Sequence, residues 1–436
     1  MEIEMKRRTL SHEVLRVVSL GTDTSPMQSR LSRGSKEIVV LFQRETYPEI
    51  VQNKIEFKKH LDTQYALHPE LFPQAMKNGY QLDGFTEASK KLGVIQRRIL
   101  IKETKEVFTI KPSFVMPYMT GYTESVEKGL LLAKYKVPFW VISRVLGKNA
   151  MYWWRAFASL GRNSIVGTTV KDPEKIPKDI AADEKKTRMN GKEINIATTA
   201  GDECLLGAAI CTDRSEEGLK EAYNIFKEEA QNVNPDYAPA SVSTDGSGAL
   251  QNAFKSLFSS VIVMLCYLHS VLSIKKRSKR LGSLFQEIMD RVWHVYHAET
   301  KRVFSQRMRR LKEWAVKNVD AEVVLNKILR LCEKSRLFQV FYDHRSAHRT
   351  SNMVDRLIDR QDRFLYIMKY FHGHFISAER GIRAWAILMN FGPYCPRATD
   401  KKGDWVCAAQ KLNGFRYSDN WLENLLISSS MNGYRR

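Results

Sequence analysis

The chain predicts a mixed α/β (α+β) fold: a mixed sheet with flanking helices, interrupted by an α-helical insertion and preceded by a helix-turn-helix domain. Three observations carry that reading. Strand-like runs at Ile180 to Thr187, Lys192 to Thr199 and Cys204 to Cys211 succeed one another across two tight turns, as an antiparallel meander does. A helix-period segment, Ser215 to Asn232, then leads into the β-type run ending at Asp245, a second helix, and the apolar run Val261 to Leu268. After Leu268 the strand pattern stops, and helical spacing continues to a closing segment at Phe341 to His374.

Composition bounds what such a chain can do. With 436 residues, 43% hydrophobic and 10% aromatic, it holds enough apolar mass for two or three domains. Its 69 Lys+Arg against 48 Asp+Glu leave a net charge of +21, which calls for a polyanionic partner. Nucleic acid fits better than membrane, because no long amphipathic or apolar segment is present. Val261 to Leu268 is far too short to span a bilayer, and Met1 to Arg8 is charged without an apolar core. Six cysteines without C-x-x-C pairs suit reduced thiols. The expected setting is cytoplasmic and nucleoid-associated.

Residues 1–120 are expected to form an accessory domain. A polar, basic stretch from Ser25 to Lys36, expected to be mobile, precedes strands expected at Glu37 to Phe42 and Val107 to Met116, with Pro112, Pro117 and Gly121 punctuating the exit. Over 121–170 the spacing turns helical, with breaks at Lys136-Val137-Pro138 and Gly147-Lys148-Asn149. That pattern predicts a helix-turn-helix in which Lys148, Asn149, Tyr152 and Arg155 face DNA while Met151, Trp154 and Phe157 pack inward. An ordinary three-helix bundle is the alternative, and the basic charge favours DNA.

The catalytic core is expected over 175–270. Asn190-Gly191 supplies the positive φ angles of a hairpin turn, Gly201-Asp202-Glu203 makes the next turn, and Ser215 with Glu217 caps the following helix. Three strands, a helix, a strand bearing Asp245, a helix and a strand is the order of an RNase H-like core, whose acids lie on adjacent central strands. Asp-Gly alone is a common turn dipeptide, so Asp245 needs partners. Asp183 in the first strand is one.

A helical insertion is expected over 271–345. Lys275, Lys276 and Arg277, and further on Arg309 and Arg310, interleave with Phe285, Trp293, Tyr296, Phe304 and Trp314, giving basic faces over aromatic cores that suit phosphate contact. The core's last part and C-terminal helices occupy 346–436. There Ser351-Asn352 caps a helix carrying Asp355, Asp359 and Asp362 on one face, alternating with Arg356, Arg360 and Arg363. Alone this reads as a salt-bridged surface helix; beside two sheet carboxylates it offers a third metal ligand.

Taken in order, A-A-D-E at Asp183, S-T-D-G at Asp245, C-Y-L-H at Cys266 to His269, a Trp-containing helical insertion and R-T-S-N-M-V-D-R from Arg349 to Arg356 resemble the Mutator-like and related bacterial insertion-sequence DDE transposases. The resemblance covers Ser125 to Ala384. It implies a catalytic, metal-binding triad of Asp183, Asp245 and Asp355, with Cys266, His269, Arg349 and Asn352 in support. It implies two Mg²⁺ (or Mn²⁺) ions per site, cleavage that frees a 3′-OH, and attack of that hydroxyl on target DNA. Double-stranded DNA, as element terminal repeats and target, is the implied partner, bound by a homodimer or higher oligomer. The family's third acid is usually Glu, whereas this chain has Asp355, with Asp359 and Glu379 as alternatives. Cys266 and His269 lack two further zinc ligands nearby, so His269 is expected to support the active-site strand or touch a phosphate. A DNA-binding regulator derived from a transposase, and a nuclease or resolvase on the same fold, are the competing functions.

Overall fold

Alternating burial builds the first sheet. The computed structural model describes residues 35–350 and 352–435; the expectations for Ser25 to Gly34 and for Ser351 as a cap lie outside the described residues. β1 (Glu37–Val40) is followed by α1 (Tyr47–Gln52), α2 (Lys54–Leu67), β2 (Tyr80–Phe85), β3 (Arg97–Ile101) and β4 (Val107–Pro112), in the sheet order β1-β4-β3-β2. β3 buries every second side chain, and one of these is Arg97. Its guanidinium donates to the carbonyls of Val51 (2.6 Å) and Gln52 (2.9 Å), satisfying the negative end of α1 with a cation. Both strands expected here are shorter than the sequence implies. β1 stops at Val40 because Phe42 turns into the core to stack on His60 and Phe57, and β4 stops at Pro112, which brings no N–H to extend the ladder.

Three helices follow: α3 (Thr123–Lys134), α4 (Phe139–Leu146) and α5 (Ala150–Leu160), with a short α6 (Ile165–Thr169) behind them. Gly147 (φ 73°) and Lys148 (φ 58°) make the turn between α4 and α5, and the Trp153 indole N–H closes it by donating to the Gly147 carbonyl at 2.8 Å. The inward face of α5 differs from the expected one. Trp153 is buried and Met151 is 51% exposed, because Gly129 of α3 leaves a slot that only the Trp153 ring fills; a Cβ there would lie 2.2 Å from it.

The larger sheet comprises β5 (Asp179–Met189), β6 (Lys192–Gly201), β7 (Cys204–Cys211), β8 (Ser241–Thr244) and β9 (Ile262–Leu265), with α7 (Glu216–Val233) and α8 (Gly248–Leu257) as crossovers. Its order is β7-β6-β5-β8-β9: β5, β6 and β7 run antiparallel, and β8 and β9 add parallel to β5. Asn190 (φ 50°) and Gly191 (φ 79°) form the expected hairpin turn, and Ser215 caps α7 by accepting from Gly218 N–H. The run Val261 to Leu268 is not one strand. It stays extended only to Leu265; Cys266 is the N-cap of α9 (Tyr267–Ser278), and Tyr267 is drawn into a helical core where its hydroxyl donates to the Val292 carbonyl at 2.8 Å.

That helical core is separate. α9, α10 (Ser283–Tyr296), α11 (Lys301–Asn318), α12 (Glu322–Glu333) and α13 (Ser335–Asp343) enclose Val271, Ile288, Phe304 and Leu331. The chain then returns as α14 (Asn352–Ile367), α15 (Phe375–Phe391), α16 (Pro396–Lys401), α17 (Ala408–Asn413) and α18 (Trp421–Ser428). α14, α15 and α18 share one continuous core with the first sheet, α3 to α5 and β6 and β7. The Asn390 side chain of α15 accepts from Leu205 N–H (2.9 Å) and donates to its carbonyl (2.8 Å), which occupies the free edge of β7. Inside the core, Glu229 of α7 accepts from Ile165 N–H (2.6 Å) and Val166 N–H (3.1 Å) and pairs with Arg383 of α15. The described residues belong to one compact unit. Among them, no helix is long and apolar enough to cross a membrane.

Candidate active site

Parallel pairing of β5 and β8 sets the site. Asp179 lies opposite Ser241, Ile180 opposite Val242 and Ala181 opposite Ser243. The same offset carried two residues further sets Asp183 level with Asp245, at the carboxyl end of β8. There the chain must turn sharply, and Gly246 takes φ 102°, with its α-carbon hydrogens against Leu265 where a Cβ would sit 2.9 Å from the Leu265 side chain. Asp245 holds the turn by accepting from Ser247 N–H at 3.0 Å, and Ser247 in turn caps α8.

Strand alternation then decides which acids meet. Asp183, Lys185 and the residue opposite Asp183, Thr198, leave the same face of the sheet, and α14 lies across that face. Gln361 of α14 is fully buried there, with Thr198 beside its amide at 3.5 Å, and Asp362 pairs with Lys185 at 2.8 Å. This seating brings the first turn of α14 to Asp183. Carboxylate oxygens of Asp183 and Asp355 and a ring nitrogen of His269 lie within 4.8 Å of one another, as do those of Asp183, Glu184 and Asp245. Either group could hold a metal ion, and Asp183 belongs to both. His269, in the first turn of α9, stands 3.9 Å from Asp355.

The alternatives for the third ligand lie elsewhere. Asp359 is 60% exposed and pairs with Arg363 at 2.7 Å. Glu379 is buried on α15, beside Arg383 and within the α7–α15 network.

The electrostatics are those of crowded carboxylates. Burial and the neighbouring Asp245 push Asp183 up to about 7, although Glu184 N–H donates to it at 2.8 Å. Burial and Asp245 also raise Glu184, with Arg214 opposing. His269 is raised to about 9, first by its hydrogen bond with Cys266 and then by Asp355 and Asp183, so a cation stands among the acids at neutral pH. The Tyr223 hydroxyl donates to the Asp183 carbonyl at 3.1 Å and fixes the strand from the other side.

The remaining sequence-predicted residues divide. Lys148, Asn149 and Arg155 are exposed, but Asn149 is the N-cap of α5 and accepts from Tyr152 N–H at 2.7 Å. Tyr152 is half-buried, edge-on to Trp153. Lys275, Lys276 and Arg277 are exposed in the last turn of α9, and Arg309 and Arg310 on α11, where Arg309 reaches Glu313 at 3.6 Å. Arg349 is turned inward over the Tyr296 ring at 4.1 Å and donates to the Tyr342 hydroxyl at 3.2 Å; Asn352 is exposed at the start of α14. Two features escape the sequence reading. Glu184 follows Asp183 in the A-A-D-E run, and a second acid in a buried strand is the signal that marks it. Arg162 and Arg380 join Arg155 around a cleft of about 310 Å³, with Tyr118, Trp154 and Ser159 also lining it; only α5 and α15 packing together makes it. Neither a model of any known protein family nor any curated protein matches the chain.

Proposed function

We propose that the protein is a DDE-type transposase, with an RNase H-like core that cuts element-end DNA and joins it to target DNA. The observation that carries this reading is Asp355: it reaches Asp183 from a helix that lies beyond a complete helical subdomain, while Asp245 reaches Asp183 along the sheet. Three carboxylates assembled from two parallel strands and a distant helix, on a chain of net charge +21, suit phosphodiester chemistry on a polyanion. The donors fit hard divalent cations, since all are oxygen ligands apart from the nearby imidazole. Two Mg²⁺ or Mn²⁺ ions bound there would stabilise the attacking and leaving oxygens of an in-line displacement.

The chain's own groups supply the rest. Asp183 belongs to both ligand groups, and the hydrogen bond from Glu184 N–H orients it. His269, 3.9 Å from Asp355, offers a ring N–H to a phosphate oxygen there. Arg155, Arg162 and Arg380 line a cleft suited to the DNA backbone, and the basic turns of α9 and α11 offer further cations to phosphates. The helix-turn-helix reading of α3 to α5 assigns end recognition to the start of α5.

The test is metal-dependent cleavage and strand transfer on duplexes carrying the ends of the element that encodes the chain. Cleavage followed by joining supports the proposal. Cleavage without joining assigns a nuclease or resolvase, and binding without cleavage assigns a regulator.

A further inference from the structure

We infer that Glu184 is a fourth carboxylate of the metal centre, ligating through Oε1 the cation held by Asp183 and Asp245. The inference rests on the proposed metal-dependent reading of this site. Strand alternation sends Glu184 to the opposite face from Asp183, toward α7, and its side chain is 0% exposed. Its only ion pair among the described residues is Arg214, whose Nη2 reaches Oε2 at 3.3 Å while being itself half-exposed. Oε1 is buried and, among the described residues, has no hydrogen-bond partner. The Tyr223 hydroxyl of α7 is committed to the Asp183 carbonyl at 3.1 Å.

Burying a carboxylate oxygen without a donor is unfavourable, so such a group calls for a ligand. What Glu184 does have nearby is acid. One of its carboxylate oxygens lies within 4.8 Å of oxygens of both Asp183 and Asp245. Cis oxygens around an octahedral Mg²⁺ stand about 3 Å apart and trans oxygens about 4 Å apart, given metal–oxygen bonds of about 2.1 Å. Small shifts at the rim would close the set. Asp245 makes this possible because it lies just past the end of β8, where a side chain is reached from both faces of the sheet. Arg214 then becomes a positioning residue that holds Oε2 and leaves Oε1 turned to the cation.

Mn²⁺ binding to the full chain without DNA, measured by electron paramagnetic resonance and by the Mn²⁺-induced rise in Tm, tests this independently of activity. Glu184→Gln keeps the shape and the Arg214 contact but removes the charge; Mn²⁺ affinity is expected to fall tenfold or more. Arg214→Ala, which removes the contact that positions Oε2, should weaken Mn²⁺ binding, but less than Glu184→Gln does. Wild-type Mn²⁺ affinity in Glu184→Gln, with loss in Asp183→Asn, overturns the inference and leaves the site standing. Wild-type affinity in Asp183→Asn and Asp245→Asn as well overturns the site reading itself. Should Glu184→Gln fail to fold, Glu184→Asp decides: a ligand role predicts weaker Mn²⁺ binding at an unchanged metal-free Tm, and a purely structural role predicts a lower metal-free Tm at unchanged Mn²⁺ affinity.

Discussion

At the scale of single residues the site is costly before it is useful. Asp183 holds its proton more tightly folded than unfolded, with a pKa of about 7 caused first by burial and then by Asp245. The sign follows: the stability this proton contributes is complete below the unfolded carboxylate value, near pH 4, and is lost as pH rises through 7. Asp183→Asn should therefore raise metal-free folding stability at pH 8 by roughly 1–3 kcal/mol, leave it nearly unchanged at pH 4, and abolish cleavage. Urea unfolding at the two pH values checks it, and equal effects at both would remove the electrostatic explanation. Asp355 and Asp359 separate in the same way. Asp355→Ala should abolish metal-dependent cleavage, whereas Asp355→Glu should retain or raise it, since the family resemblance points to the longer acid. Asp359→Ala removes only an exposed ion pair with Arg363, worth about 0–1 kcal/mol, and activity should survive. A reversed pattern in the cleavage assay would move the third ligand one turn along α14.

At the scale of elements, α5 shows how one side chain can serve two ends. Asn149 caps the helix through its bond to Tyr152 N–H, so Asn149→Ala costs about 1 kcal/mol of stability whatever it does to DNA. Asn149→Ser keeps a capping oxygen; if the start of α5 reads bases, that variant should lose preference for element ends over random duplex while keeping wild-type Tm. Arg380→Ala, on the arginine-lined cleft, should weaken both duplexes equally, because backbone contacts carry no sequence information. Competition binding with the two DNAs distinguishes these outcomes. The larger sheet is legible in the sequence because its signals are local: the Asn190-Gly191 turn, the cap at Ser215 and the Asp245-Gly246 exit each sit within a few residues of what they control. The first sheet is half legible. β2 and β3 flank a loop with no tight-turn dipeptide, and Arg97 interrupts the apolar pattern of a buried strand while serving the end of α1. The inward face of α5 departs from its own periodicity because Gly129, twenty-odd residues upstream, decides it. Asp183, Asp245 and Asp355 can be named from motif order, whereas Glu184 is marked only as a second acid in a buried strand. Alternation places it on the wrong face, and only the rim position of Asp245 brings it back.

At the scale of the whole molecule, and on the proposed function, the separation between the helical subdomain and the main core sets where DNA lies. α9 begins at the candidate site, with His269 beside Asp183 and Asp355, and ends in Lys275, Lys276 and Arg277. Six residues of helix rise about 9 Å, little more than one phosphate-to-phosphate step, so a strand whose scissile phosphate sits at Asp183 passes these three cations almost at once. Arg309 on α11 is less available, since it already leans on Glu313. A net charge of +21 makes the salt dependence of binding steep, and removing one cation that neutralises a phosphate should lower the slope of log K against log salt by about 0.9. Replacing Lys275, Lys276 and Arg277 together by Ala should lower that slope by roughly 2–3 and slow strand transfer, with metal affinity unchanged because no metal ligand is touched. Arg309→Ala should lower it by less than about one. Binding titrations across a range of KCl concentrations measure both. A triple variant with the wild-type slope would show that DNA leaves the site in another direction, across the Arg155, Arg162 and Arg380 cleft rather than along α9.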